Sequence, residues 1–118
     1  GAYDARFDQA AAFSGRGYTR ATNQVKPDLV APGVEIMSCA PGGGYQVRTG
    51  TSMATPFVTG SAALLMQWGI VNGNDAYLYG EKMKAYLIRG ARKLPGFTAY
   101  PNPLLGWGAL CTANSIPR

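Results

Sequence analysis

The alternation of hydrophobic and polar positions in the middle of the chain predicts a β-hairpin. Positions 34–39 alternate in this way, the glycine-rich stretch 41–44 follows, and a second short run covers 45–49. A period of two is typical of a strand with one face more buried than the other. A turn between two such runs predicts a hairpin, whose second strand leads directly into Gly50.

A long stretch that is rich in apolar residues follows this hairpin. It predicts a helix from Ser52 to about Trp68, in which Pro56 is tolerated because first-turn N–H groups have no helical acceptor. The apolar side chains cover most of the helix circumference, and they are Met53, Ala54, Phe57, Val58, Ala62, Ala63, Leu64, Leu65 and Met66. We therefore expect this helix to be buried on nearly all sides.

Shorter patterns predict the remaining elements. Residues 1–3 are typical of the end of a strand, and 29–31 form an extended apolar piece bounded by prolines, which disfavour helix before them. A second helix is expected over 79–93, with an apolar stripe at helical spacing formed by Met83, Tyr86, Leu87 and Ala91. A final helical turn is expected over 112–116.

Composition limits the classes of protein to consider. The 118 residues suffice for one domain with a modest core. The longest apolar run, around 62–66, is far shorter than the ~20 residues of a membrane-spanning helix. The net charge of +5 comes largely from a basic cluster, Lys82, Lys84, Arg89, Arg92 and Lys93. We interpret this cluster as a solvated helix face, because no nucleic-acid-binding motif accompanies it.

Two cysteines and the absence of histidine bear on the chemistry. Cys39 and Cys111 show no metal-ligand spacing, and they could form a disulfide, remain free thiols or act as small buried hydrophobes; we favour reduced thiols. The chain contains no histidine. A serine nucleophile in this chain would therefore lack the base that usually activates it.

The stretch Gly50-Thr51-Ser52-Met53-Ala54-Thr55-Pro56 is the strongest candidate site. It would place Ser52 at a helix N-terminus, where unpaired backbone N–H groups and the helix dipole favour negative charge. The Ser52 N–H could then stabilise the oxyanion formed when Ser52 Oγ attacks a carbonyl. The simpler interpretation is that Ser52 only caps the helix, since serine is a common N-cap residue.

This heptapeptide resembles the sequence around the nucleophilic serine of subtilisin-like serine proteases, the subtilases. The segment Lys26-Pro27-Asp28-Leu29-Val30-Ala31-Pro32-Gly33 resembles a second motif of that family, at about the same distance before the serine. The glycine-aromatic-glycine segment 106–110 resembles the family's closing strand. Phe57 stands where the family usually has a histidine that is not a triad member, so this departure leaves the assignment intact.

The resemblance implies an α/β fold: residues 1–118 would be the C-terminal fragment of a single subtilase catalytic domain, a doubly wound parallel-sheet domain, with no second domain. It would contain the hairpin, the buried helix, the second helix and a terminal strand. Ser52 would be the catalytic nucleophile of a serine endopeptidase acting on polypeptides. Thr51 and Ser52 would support the oxyanion hole, and the Gly50 backbone would approach the substrate.

In this family the triad appears in the order Asp, His, Ser. The aspartate and histidine would therefore precede residue 1, and the isolated chain should be inactive. Asp28 belongs to a different motif, and we expect it to be a turn residue or an ion-pair partner of Lys26. No cofactor or metal site is expected here. Calcium is expected only in the full-length parent, because one carboxylate supplies few of its ~6–8 oxygen ligands.

Two alternatives remain at this point. A subtilase-like pseudoprotease or binding scaffold would have lost its triad, although an intact Ser52 argues against decay. A small basic nucleic-acid-binding domain would show an affinity that falls steeply with salt. For the protease we expect a secreted or cell-surface parent, with intracellular members also known, and an isolated chain that self-associates through exposed apolar surface.

Overall fold

The computed structural model describes residues 1–117 as two small sheets and three α-helices. The strands are β1 Ala2–Asp4, β2 Gln9–Ala10, β3 Ala31–Pro32, β4 Ile36–Cys39 and β5 Tyr45–Arg48. The helices are α1 Thr51–Met66, which continues as a π-helical segment Gln67–Val71, then α2 Gly80–Arg89 and α3 Thr112–Ser115.

The first sheet has the strand order β2-β1-β3. The β1 and β2 strands are antiparallel, whereas β1 and β3 are parallel, with Ala2 opposite Ala31. Val30 extends this sheet through a parallel bridge to Ala109, in which its N–H donates to the Gly108 carbonyl at 3.0 Å. The predicted strand end and the extended piece before Pro32 are both confirmed.

The predicted strand over 106–110 is wrong, since this segment forms only isolated bridges. Ala109 pairs with Val30 on one side and with Arg92 on the other. Gly106 and Gly108 have φ values of 60° and 127°, which lie outside the extended region of the backbone. The two glycines therefore interrupt the ladder on either side of Trp107.

The predicted hairpin is confirmed. The β4 and β5 strands are antiparallel, with Ile36 opposite Arg48 and Met37 opposite Val47. The connecting glycines 42–44 all have positive φ, between 75° and 104°, which is why this turn is built from glycine. Hydrogen bonds along this two-stranded ribbon fix the point at which the chain enters α1.

The α1 helix occupies the predicted range, but the prediction that it is buried on nearly all sides is wrong. Only Ala54, Ser61 and Leu65 are buried. Phe57 is 41% exposed and Leu64 is 52% exposed. The sheet, α2 and α3 cover the helix from one side, and nothing in residues 1–117 covers the apolar side chains on the other.

The second helix is shorter than the predicted 79–93 because tertiary contacts end it at Arg89. A Cβ on Gly90 would lie 2.4 Å from Ser115 Oγ, so only glycine lets the chain pass α3 here. Arg92 then forms backbone hydrogen bonds with Ala109, at 2.7 and 2.8 Å, which helical backbone would not allow. The short final helix, α3, is confirmed.

Apolar side chains form clusters on both faces of the first sheet. Small residues lie between the sheet and α1, namely Ala2, Ala11, Ala31 and Ala54. Larger ones cover the opposite face, namely Tyr3, Val30, Leu94, Leu105 and Ala109. A third cluster joins α1 to α2 and consists of Leu65, Leu78, Met83 and Leu87. The small first cluster lets α1 pack close to the sheet.

Surface charge and the cysteines agree with the sequence analysis. Within the basic cluster, Lys82 pairs with Asp75, Lys84 with Asp28 and Arg92 with Asp8. Both cysteines are free thiols; Cys39 is exposed and Cys111 is half-buried.

The helical stretch Thr51–Val71 is long and apolar enough to cross a membrane by length and composition alone, a test that core helices of soluble domains also pass.

The isolated 118-residue chain should self-associate through the uncovered face of α1. Phe57 and Leu64 lie seven residues apart on this face, and Val71, in the π-helical segment that follows, is 75% exposed. We expect light scattering to show oligomers that the double variant Leu64→Lys/Val71→Lys shifts towards monomer. Tyr77→Lys, at an exposed position outside the helix, serves as the control. A monodisperse wild-type monomer with cooperative unfolding would contradict this prediction.

Candidate active site

The site is built around the residue that precedes α1. Gly50 is the helix N-cap, with φ 157° and ψ 165°, a conformation that is essentially restricted to glycine. Its N–H donates to the Gly33 carbonyl at 2.8 Å, and the Gly33 N–H donates to the Tyr3 carbonyl at 3.1 Å. This chain of hydrogen bonds joins the start of α1 to β1 of the sheet.

Ser52 is the second residue of α1 and is exposed. The interpretation of Ser52 as an N-cap is wrong, because Gly50 occupies that position and the helix start has no side-chain cap hydrogen bond. Within residues 1–117, the backbone N–H groups of Thr51 and Ser52 have no carbonyl acceptor. The helix start therefore presents the Ser52 hydroxyl and two backbone donors without an acceptor.

Thr51 and Ser52 line different clefts. Thr51 lies beside a cleft of about 570 Å³ that α1 forms with the segment 15–19. Ser52 lies in a second cleft of about 290 Å³, which we call the serine cleft. Its walls are β4 and the α1 residues Ser52, Met53, Pro56 and Phe57. Met37, Met53 and Phe57 make much of the serine cleft apolar.

A third cleft adjoins the serine cleft along the hairpin. This ribbon cleft, of about 300 Å³, shares Ile36, Ser38 and Met53 with the serine cleft and extends to Gln46 and Arg48. The two clefts together form a groove between the hairpin and the start of α1. Ser52 lies towards one end of this groove and Arg48 lies towards the other.

Arg48 is the charged residue in this groove. No carboxylate among residues 1–117 lies within ion-pair distance of its guanidinium. With the Gln46 amide oxygen turned towards it, the arginine donates from Nε and Nη2 at 2.8 Å each. An amide orients the guanidinium without neutralising it, so the groove has an uncompensated positive charge at this point.

Asp28 belongs to an ion-pair cluster, as the sequence predicts. Its carboxylate accepts from Lys26 Nζ at 2.8 Å and lies 3.0 Å from Lys84 Nζ. Burial raises the pKa of Asp28, but the two lysines together outweigh this effect, so the pKa is lowered overall. Two ammonium groups on one carboxylate also oppose cation binding, and residues 1–117 contain no cluster of three or more His, Cys, Asp or Glu that could hold a metal.

Sequence reasoning located Gly50, Thr51 and Ser52 but missed the groove residues. Arg48, Met37 and Gln46 come from the hairpin, whose register puts Gln46 and Arg48 on the same face as Ser38 and Ile36 and puts Met37 on the other face, opposite Val47. The period-two pattern that predicted the hairpin also put Gln46 and Arg48 on one face, which was an available signal. Which face turns towards α1 could not be read from that pattern.

The family assignment follows from comparison with known proteins. The model of the subtilase family matches residues 1–108. The chain belongs to the subtilase family, and its fold is that of the C-terminal part of subtilisin-like proteases.

Particular relatives support this assignment over most of the chain. The solved structure of the Clostridium perfringens CspB protease has 47% sequence identity and a TM-score of 0.90, covering 97% of this chain and 24% of that protein. The minor extracellular protease Vpr of Bacillus subtilis is 33% identical over 92% of this chain and 14% of its own length. The patellamide maturation protease PatA has 29% identity and a TM-score of 0.74, covering 98% of this chain and 40% of that structure. This chain therefore spans a minor part of the relatives it matches.

Replacing Gly33 should disturb the helix start, and the effect should be seen in the parent polypeptide. A Cβ there would lie 2.6 Å from Ala2 Cβ and 2.8 Å from the Gly50 carbonyl oxygen. We expect Gly33→Ala to lower the free energy of unfolding by about 1–3 kcal/mol, as overpacking does. Gly60→Ala is the control, since a Cβ on Gly60 of α1 meets nothing within 4 Å and should stabilise by up to ~1 kcal/mol. Equal stability of the two variants in chemical denaturation would refute the close packing.

Asp28 should contribute stability that is lost in acid. Because its folded pKa lies below the value of 3.8 for the free side chain, the contribution is present above about pH 4 and disappears as pH falls through the lower folded pKa. We expect Asp28→Asn to cost about 1 kcal/mol or less at pH 7, with the difference from wild type shrinking below pH 4. The comparison is made by denaturant unfolding of the parent at pH 7, 4 and 3. Glu81→Gln, at an exposed site without an ion pair within residues 1–117, is the control; a cost for Asp28→Asn that stays constant with pH would argue against the ion pairs.

Proposed function

We propose that residues 1–118 are the C-terminal part of a subtilisin-like serine endopeptidase and that Ser52 is its nucleophile. The observation that carries the proposal is the exposed Ser52 in the first turn of α1, beside two backbone N–H groups without an acceptor in residues 1–117. Family membership supports the same role, because the sequence from 50 to 56 resembles the subtilase serine motif.

In the proposed reaction, Ser52 Oγ attacks the carbonyl carbon of the scissile peptide and transfers its proton to a base. The carbonyl oxygen becomes an oxyanion, to which the Ser52 N–H can donate, with Thr51 beside it. Collapse of this intermediate breaks the C–N bond, the amine leaves with a proton from the protonated base, and an acyl-enzyme on Ser52 remains. Water then attacks the ester carbonyl, releases the acid and restores the hydroxyl.

The base must come from outside residues 1–118, since these contain no histidine. By resemblance to the family, it would be a histidine upstream, oriented by an aspartate further upstream. The isolated chain is then inactive. The relatives include a protease named extracellular, from Bacillus subtilis, and one named intracellular, from Paenibacillus polymyxa, so family membership is compatible with either compartment.

The proposal is tested by treating the native parent polypeptide with a fluorophosphonate and mapping the modified peptide. We expect labelling of Ser52 in the native parent, and none in the heat-denatured parent, in Ser52→Ala or in the isolated 118-residue chain. An activated serine reacts with a fluorophosphonate orders of magnitude faster than an ordinary hydroxyl. Labelling should therefore be close to complete in the native parent and close to zero in the three controls. Hydrolysis of a peptide ester by the isolated chain, abolished by Ser52→Ala, would refute the upstream base. Absence of labelling in a folded parent would favour a pseudoprotease instead.

A further inference from the structure

We propose that Arg48 gives this protease a preference for an acidic side chain in the substrate, close to the scissile bond. The inference rests on the proposed function of Ser52 and adds to it a specificity determinant within these residues. It begins from the groove formed by the serine cleft and the ribbon cleft, which share Ile36, Ser38 and Met53.

The position of Arg48 limits where it can act on a bound peptide. It is the last residue of β5, and three residues separate it from Ser52. Four Cα-to-Cα steps span at most about 14 Å, which is the length of roughly four residues of an extended peptide. A substrate with its scissile carbonyl at Ser52 and its chain along the groove therefore brings a side chain within reach of Arg48 no more than about four residues from that bond.

The charge of Arg48 is available to a ligand. The described ion pairs of residues 1–117 do not include it, whereas Lys26, Lys82, Lys84, Arg6 and Arg92 each contact a carboxylate. Gln46 holds Nε and Nη2 through its amide oxygen and leaves Nη1 free. A guanidinium held in this way can donate to a carboxylate from a fixed direction, which favours Asp or Glu over their amides.

The walls of the groove strengthen this preference. Ile36 lies directly opposite Arg48 in the hairpin register, and Met53 lines the same cleft. These two side chains offer apolar contact to the methylene groups of a bound Asp or Glu, while the guanidinium itself is exposed and attracts the carboxylate partly through solvent. We therefore expect an acidic side chain to bind more tightly here than an amide, and a basic side chain to be repelled.

The test uses the full-length parent and peptides that carry Glu, Gln or Lys in turn at each of four positions on either side of the cleaved bond. We expect one position at which kcat/KM is roughly tenfold higher for Glu than for Gln, since a hydrogen bond to a charged group is worth that much. The preference should weaken with added salt. It should shrink in Arg48→Lys, vanish in Arg48→Gln and turn towards Lys in Arg48→Glu.

The matched control is Arg20→Glu, which makes the same change of charge at an exposed residue that lines neither cleft. This variant should keep the preference for Glu. The rate of fluorophosphonate labelling at Ser52 is measured for every variant and shows that the site is intact. Hydrolysis without an acidic preference at any position, or a preference that survives in Arg48→Glu, would overturn this inference and leave the proposed function standing. A parent that neither hydrolyses peptides nor labels at Ser52 would overturn the proposed function, and this inference with it.

Discussion

One backbone hydrogen bond determines the geometry of the whole site. The Gly50 N–H donates to the Gly33 carbonyl and so fixes the end of the hairpin relative to the sheet. Both residues must be glycine, for different reasons: Gly50 has a backbone conformation closed to other residues, and Gly33 has no room for a Cβ between Ala2 and the Gly50 carbonyl. A second contact, from the Glu35 N–H to Thr49 Oγ1 at 2.8 Å, holds the two hairpin strands at the same place. These contacts together fix the position of the helix start and therefore the position of Ser52.

The chemistry of the site divides between local and distant parts of the chain. A helix N-terminus supplies free N–H groups wherever it occurs, so a nucleophile and its oxyanion donors can be built from three consecutive residues. A proton acceptor for Ser52 cannot be built in this way, and these residues contain no histidine to serve. The exposed apolar face of α1 also depends on distant parts of the chain, because a helix that is apolar on most sides needs neighbouring elements on several sides. The uncovered helix face agrees with a chain that covers only 24% of the solved CspB protease and 14% of the length of Vpr.

The groove shows how tertiary pairing adds function to a motif. The serine motif by itself places an exposed hydroxyl at the start of α1 and does not specify the groove beside it. The hairpin places Met37, Gln46 and Arg48 alongside Met53 and Phe57, and these side chains give the groove an apolar end and a charged end. Unlike Arg6, Lys26, Lys82, Lys84 and Arg92, Arg48 has no carboxylate partner among residues 1–117. The same fold can therefore keep Ser52 in place while the hairpin residues change the shape and charge of the groove beside it.

The sequence by itself determined the local elements and the position of the serine motif. The hairpin, α1, the extended residues around Val30 and the positions of Gly50, Thr51 and Ser52 could all be read from periodicity, turn glycines and motif resemblance, since each depends on residues close in sequence. The role of Asp28 as the partner of Lys26 could be predicted for the same reason. Tertiary structure alone decided the early end of α2, where Gly90 passes Ser115, and the reduction of 106–110 to single bridges. It also decided which face of α1 is covered and which hairpin residues reach Ser52. These outcomes depend on contacts between residues distant in sequence, and a local pattern of hydrophobic and polar positions does not specify them.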